Sequence, residues 1–209
     1  MSQTLPFTKY ERIMQLRSMG FNTPRMVYIE SEKDLSIRTK RLEIDVFLRD
    51  LHQSFVNIRT YKHVDGKETW LSQHLTHVVI SDVDKTLLKC LQDGFICMID
   101  AENPENGIYA GNILLEDSGK SYIVEYCYRP KGGAMVRMAD AVDAERHTGI
   151  SKHVTLSSIP SDVANAVQQS YTKFSFPYMS VILEFAVGKE PWGVDQWYSI
   201  FWEYRDRVI

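Results

Sequence analysis

Residues Val181–Arg205 read VILEFAVGKEPWGVDQWYSIFWEYR. Two apolar runs flank a turn-like insert, PWGVDQW, and each run carries one acid: Glu184 in ILEFAV and Glu203 in IFWEYR. A carboxylate among apolar neighbours is costly unless a cation or a hydrogen-bond donor meets it. The spacing predicts two closing strands joined by a hairpin at the insert. Alternation along each strand puts Glu184 on the face of Ile182 and Ala186, and Glu203 on the face of Phe201 and Arg205. Two acids and an arginine so placed can form a plain cross-strand ion pair.

Outward from this pair, the second half of the chain is strand-rich. FICMID, GIYAGNILLE, KSYIVEYCY and AMVRMAD follow one another with Gly, Pro, Asn or Asp between them, the pattern of an antiparallel meander. Ser161 to Phe174, just after Pro160, reads as a helix. The first half mixes helices with short strands. Lys9–Met19 is an amphipathic helix stopped by Gly20, and Lys40–Leu51 is a second. RMVYIE, SFVNIRTYK and THVVI read as strands, and DVDKTLLKCLQDG as a helix ended by Gly94. The sum is an α+β protein with a first lobe over residues 1–96 and a second, mainly antiparallel one over 97–209.

Composition narrows the partners. A net charge of -3 offers no basic field for nucleic acid or an anionic membrane. No apolar run approaches the ~20 residues that span a bilayer, and the N-terminal MSQTLPFTKYER has no hydrophobic signal region. Cys90, Cys97 and Cys127 sit in apolar contexts without metal-ligand spacing, as reduced core cysteines do. A cytoplasmic protein without nucleic-acid or membrane partners is expected.

Three motifs suggest chemistry. VVISDVDKTLL resembles the Asp-x-Asp-x-Thr nucleophile loop of haloacid-dehalogenase-like phosphatases, with Asp82 and Asp84 as the acids. The same residues suit a helix start, where acids favour the macrodipole. The chain downstream lacks a second acidic pair at a strand end, which that chemistry needs. His74 and His153, each in His-x-Thr, resemble the pair of two-histidine phosphoesterases, although the halves show no duplication.

The third pattern runs over nearly the whole chain. TKYERIMQLRSMGFNTPRMVYI, VNIRTY, GFICMIDAENPENGIYAGNILLEDSGKSYIVEYCY, KGGAMV, ILEFAV and IFWEYR follow in that order. The series resembles the nucleotide-binding domain of phosphoenolpyruvate synthase and pyruvate phosphate dikinase, an ATP-grasp fold. The resemblance implies ATP and Mg2+ as cofactors, and a small or protein-borne acceptor that is activated or phosphorylated. It places Lys9 and Arg59 at phosphate-binding positions, and Met98, Asp100 and Glu102 along the strand that reads adenine. It gives Glu184 and Glu203 to the metal, and Arg205 to the charge on the transferred group.

Departures accompany the likeness. Glu203 stands where that family has an amide, Ala134 where it has an acid, and TYKHVDGKETW where it has a serine-rich loop. A catalytically degenerate module that binds a nucleotide or a protein is the alternative they suggest.

Overall fold

A computed structural model of the chain describes residues 9–51, 53–64, 67–69, 74–102, 106–116, 120–128, 145–150, 159–173, 181–192 and 197–206. The chain divides into two compact units: residues 1–10 with 24–102, and residues 11–23 with 103–209. Helix α1 (Lys9–Ser18) precedes both sheets. Its stop is chemical. Gly20 takes a left-handed φ of 82°, and the Phe21 amide returns to the Leu16 carbonyl at 3.0 Å.

The first unit contains β1 (Met26–Ile29), α2 (Glu32–Ser36), α3 (Arg38–Arg49), β2 (Phe55–Val64), β3 (Lys67–Thr69), β4 (His74–Val79), α4 (Val83–Gln92) and β5 (Ile96–Asp100). Its sheet runs β1-β5-β2-β3, with β4 also on β2, and every pairing is antiparallel. The period of two sends Val27, Ile29, Val56, Ile58, Cys97 and Ile99 to one face. The helical period sends Ile44 and Phe47 of α3, and Val83, Leu87 and Leu91 of α4, against them. Helix α4 ends as the sequence predicts, at Gly94 with φ 77°.

The second unit holds β6 (Gly107–Glu116), β7 (Ser121–Tyr128), β8 (Glu145–Ile150), α5 (Ser161–Lys173), β9 (Val181–Trp192) and β10 (Trp197–Asp206). Its sheet is antiparallel in the order β10-β9-β6-β7-β8. One face, with Ile113, Leu115, Val124, Leu183, Phe185 and Phe201, packs on Val163, Ala164 and Val167 of α5 and on Leu16 and Phe21. At Gly111 a Cβ would stand 2.0 Å from the Glu125 carbonyl oxygen, so glycine there lets β6 and β7 close up.

The continuous meander expected from Phe95 onward is divided. FICMID supplies β5, which lies between β1 and β2 in the first unit's sheet. The expected strand AMVRMAD lies outside the described residues, and β8 supplies the edge beside β7. Residues 145–150 lack the apolar alternation of β6 and β7, and among the described residues β8 pairs with β7 alone, as an edge strand that needs burial on fewer sides does.

Candidate functional site

Registers in the second unit bring the two opening acids together. Glu203 stands directly opposite Glu184 in the β9–β10 ladder, and Arg205 opposite Ile182. Simple alternation does not produce this. Phe201 pairs with Phe185 on the core face, and the next matched pair is Glu203 with Glu184, so Trp202 is an extra residue on β10. This bulge shifts the strand by one position. Without it Glu203 would stand opposite Leu183, a core residue. The expectation that Glu203 shares the face of Phe201 is therefore corrected, while its adjacency to Glu184 holds.

The ladder extends the pair into a transverse row. Glu184 faces Asn112 on β6, Asn112 faces Glu125 on β7, and Glu125 faces Arg146 on β8. The row alternates with Leu183, Ile113 and Val124, so it lies on the side of the sheet away from α5. At its far end Arg146 Nε lies 3.4 Å from Glu125 Oε1. Glu184 and Asn112 are both half-buried, and among the described residues neither side chain takes part in a hydrogen bond or an ion pair. Glu184 is thus a partly desolvated acid with an oxygen-bearing amide as its cross-strand neighbour. The sequence reading missed Asn112. Its position inside the apolar run GIYAGNILLE was the available signal, and only the strand order puts it beside Glu184.

In the first unit, four polar residues gather on the sheet face opposite α3 and α4. Asp100 is wholly buried, Glu102 is 4% exposed at its side chain and Arg59 is 17% exposed. Arg59 Nε donates to Asp100 Oδ2 at 2.6 Å, and Nη2 donates to Glu102 Oε2 at 2.9 Å. Asn57 Nδ2 donates to Asp100 Oδ1 at 2.9 Å and to the Glu102 carbonyl at 2.6 Å. The Glu102 amide closes the group on Asp100 Oδ1 at 3.0 Å. The guanidinium fork thus bridges two carboxylates from β5 and the residues just after it, a charge-assisted arrangement in low dielectric. Met98, also buried, pairs with Tyr28 on one side and Arg59 on the other. Lys9 opens α1, and its side chain lies outside the described residues.

The two phosphoesterase constellations fare differently. Asp82 and Asp84 stand at the start of α4, after a strand antiparallel to its neighbour. Asp84 Oδ1 accepts from Arg41 at 2.6 Å, and Thr86 Oγ1 donates to the Asp82 carbonyl at 2.7 Å. These are the contacts of a helix start on the surface. His74 opens β4 opposite Arg59 in register, and His153 lies outside the described residues.

A further polar group lies at the β7–β8 edge. Tyr126 Oη donates to Glu145 Oε2 at 2.7 Å, and His147 Nε2 lies 3.4 Å from each of those oxygens. Burial raises the Tyr126 pKa, helped by Glu145, and the Tyr126 hydroxyl, followed by His147, holds Glu145 below its ordinary range. Burial likewise pushes the Cys97 thiol up, as befits an inert core cysteine. No helix of the described residues is long and apolar enough to cross a membrane.

No family model matches the chain, and no curated protein matches it. Solved structures do. N5-carboxyaminoimidazole synthetase from Staphylococcus aureus, complexed with ADP, superposes with a TM-score of 0.51 at 9% identity, covering 98% of this chain and 46% of that one. D-cycloserine synthetase DcsG gives 0.50 at 12% identity, covering 93% of this chain and 60% of that one. The chain therefore spans about half the length of these structures. At such identities the likeness speaks to fold: the chain has an α+β, ATP-grasp-like fold.

Proposed function

We propose that the protein binds ATP together with Mg2+ and uses it to activate or phosphorylate an acceptor. The observation that carries this reading is the register of Glu184 against Glu203 in a chain with an ATP-grasp-like fold. Mg2+ is a hard cation that takes carboxylate oxygens and completes its shell with phosphate and water. Glu184, half-buried and without a protein partner among the described residues, suits that donor set. In this reading Glu184 and Glu203 hold the metal, and Arg205, two positions along β10, stabilises charge on the transferred group. The sequence resemblance to phosphoenolpyruvate synthase and pyruvate phosphate dikinase supports the same roles. It also supports phosphate contacts at Lys9 and Arg59, and adenine contacts along Met98, Asp100 and Glu102. The metal ion's chemistry, when bound, is neutralisation of the developing phosphoryl charge.

Thermal shift with ATP and with ADP, each with and without Mg2+, tests the reading. The expected result is a Mg2+-dependent stabilisation by ATP that Glu184→Ala abolishes and Asp82→Ala leaves intact. No response to ATP, or phosphatase activity lost in Asp82→Ala, overturns it.

A second reading rests on Arg59. Its guanidinium is engaged by Asp100 and Glu102 rather than held open for phosphate, which favours a degenerate module that binds a nucleotide or a partner protein without turnover. Stoichiometric ATP binding without ADP release, across a panel of carboxylate and amine acceptors, distinguishes this reading from the first.

A further inference from the structure

We infer that Asn112 is a third protein ligand of the proposed metal–nucleotide site, an inference that rests on the Glu184–Glu203 reading above. Strand β9 lies between β10 and β6, so Glu184 has Glu203 opposite on one side and Asn112 opposite on the other. Directly opposed residues of antiparallel strands have Cβ atoms about 4.5–5.5 Å apart. Side chains at that spacing can converge on one cation.

The charge pattern of the row selects Asn112 rather than the residue beyond it. Glu125 is met by Arg146, with Nε and Oε1 3.4 Å apart, so the row is balanced at its β7–β8 end. Glu184 and Asn112 are half-buried, and among the described residues their side chains have no hydrogen-bond or ion-pair partner. Half-buried polar groups carry a desolvation cost that a ligand can offset. An amide also solves an electrostatic problem. Its Oδ1 adds a hard oxygen donor without a third negative charge beside two carboxylates, and its Nδ2 can donate to a phosphate oxygen. Gly111, next to Asn112, lets β6 and β7 approach so closely that a Cβ there would stand 2.0 Å from the Glu125 carbonyl.

The test is calorimetric titration of the full chain with ATP, with and without Mg2+, beside Mn2+ binding alone followed by electron paramagnetic resonance. Asn112→Ala is expected to weaken Mg2+–ATP binding about tenfold, the size of effect that lost metal-site support produces. Metal-free ATP binding should fall far less, by the loss of one amide donor, and the melting temperature should move by less than about 2 °C. Asn112→Asp is expected to tighten Mn2+ and weaken ATP, because it exchanges the amide donor for a charge. Glu125→Gln, altered at the balanced end of the row, should behave as the unaltered protein. If Asn112→Ala binds Mg2+–ATP within twofold of the unaltered protein while Glu184→Gln does not bind, the inference about Asn112 fails alone. If the unaltered protein shows no Mg2+-dependent ATP binding, both readings fall.

Discussion

Replacing Arg59 by alanine strips a guanidinium from Asp100, which is wholly buried, and from Glu102, which is 4% exposed. Breaking a buried pair from one side costs about 3–5 kcal/mol, because the abandoned charges stay desolvated. Arg59→Ala should therefore lower the urea midpoint strongly even with no nucleotide present, and a loss below about 1 kcal/mol would contradict the buried bridge. It follows that lost ATP binding in that variant says little by itself about phosphate recognition. Tyr126 and Glu145 give a pH-dependent case. A carboxyl whose folded pKa lies below its unfolded value contributes stability above that unfolded value and loses it as pH falls through the folded one. Glu145 is depressed from its ordinary 4.5 by the Tyr126 hydroxyl and then by His147. The stability gap between the unaltered protein and Tyr126→Phe should be open at neutral pH and narrow on acidification below the ordinary glutamate range. Urea titrations at pH 7 and pH 3 read it, and a gap that widens in acid would refute the hydrogen bond's role.

At the scale of elements, α1, α3, α4 and α5 were legible because capping and stop signals are local, while the short α2 was not read. Gly20 and Gly94 end α1 and α4 at the positions the chain advertises. Helix α4 offers a test of its period. Leu87 is wholly buried against the sheet, and Leu88 is 40% exposed. Leu87→Ala should cost about 2–5 kcal/mol in denaturant unfolding. Leu88→Ala should stay within about 0.5 kcal/mol, as surface substitutions usually do, and equal effects would contradict the assigned face. Strands were legible as strands, yet their partners were not. Alternation is blind to the single extra residue at Trp202, and that residue decides whether Glu203 meets Leu183 or Glu184. The edge strand β8 was missed because ERHTGI carries no apolar alternation.

For the whole molecule, the functional reading makes a quantitative claim. A ligand that binds only the native state stabilises it by about 2.7 kcal/mol at a hundred times its dissociation constant. Mg2+–ATP should therefore raise the melting temperature in a concentration-dependent way, and ATP without metal should do so much less. The contacts group β5 with residues 1–10 and 24–102, and residues 11–23 with 103–209. The sequence by itself determined the α+β class, the ends of α1 and α4 and the identity of the unusual acids, because these follow from local periodicity and capping chemistry. Only the tertiary structure decided which strands are neighbours, and with that the row Glu203, Glu184, Asn112 and the bridge of Arg59 to Asp100 and Glu102. The physical reason is that strand pairing joins residues far apart in the chain. Its register is shifted by bulges such as that at Trp202, which leave no periodic mark in the sequence.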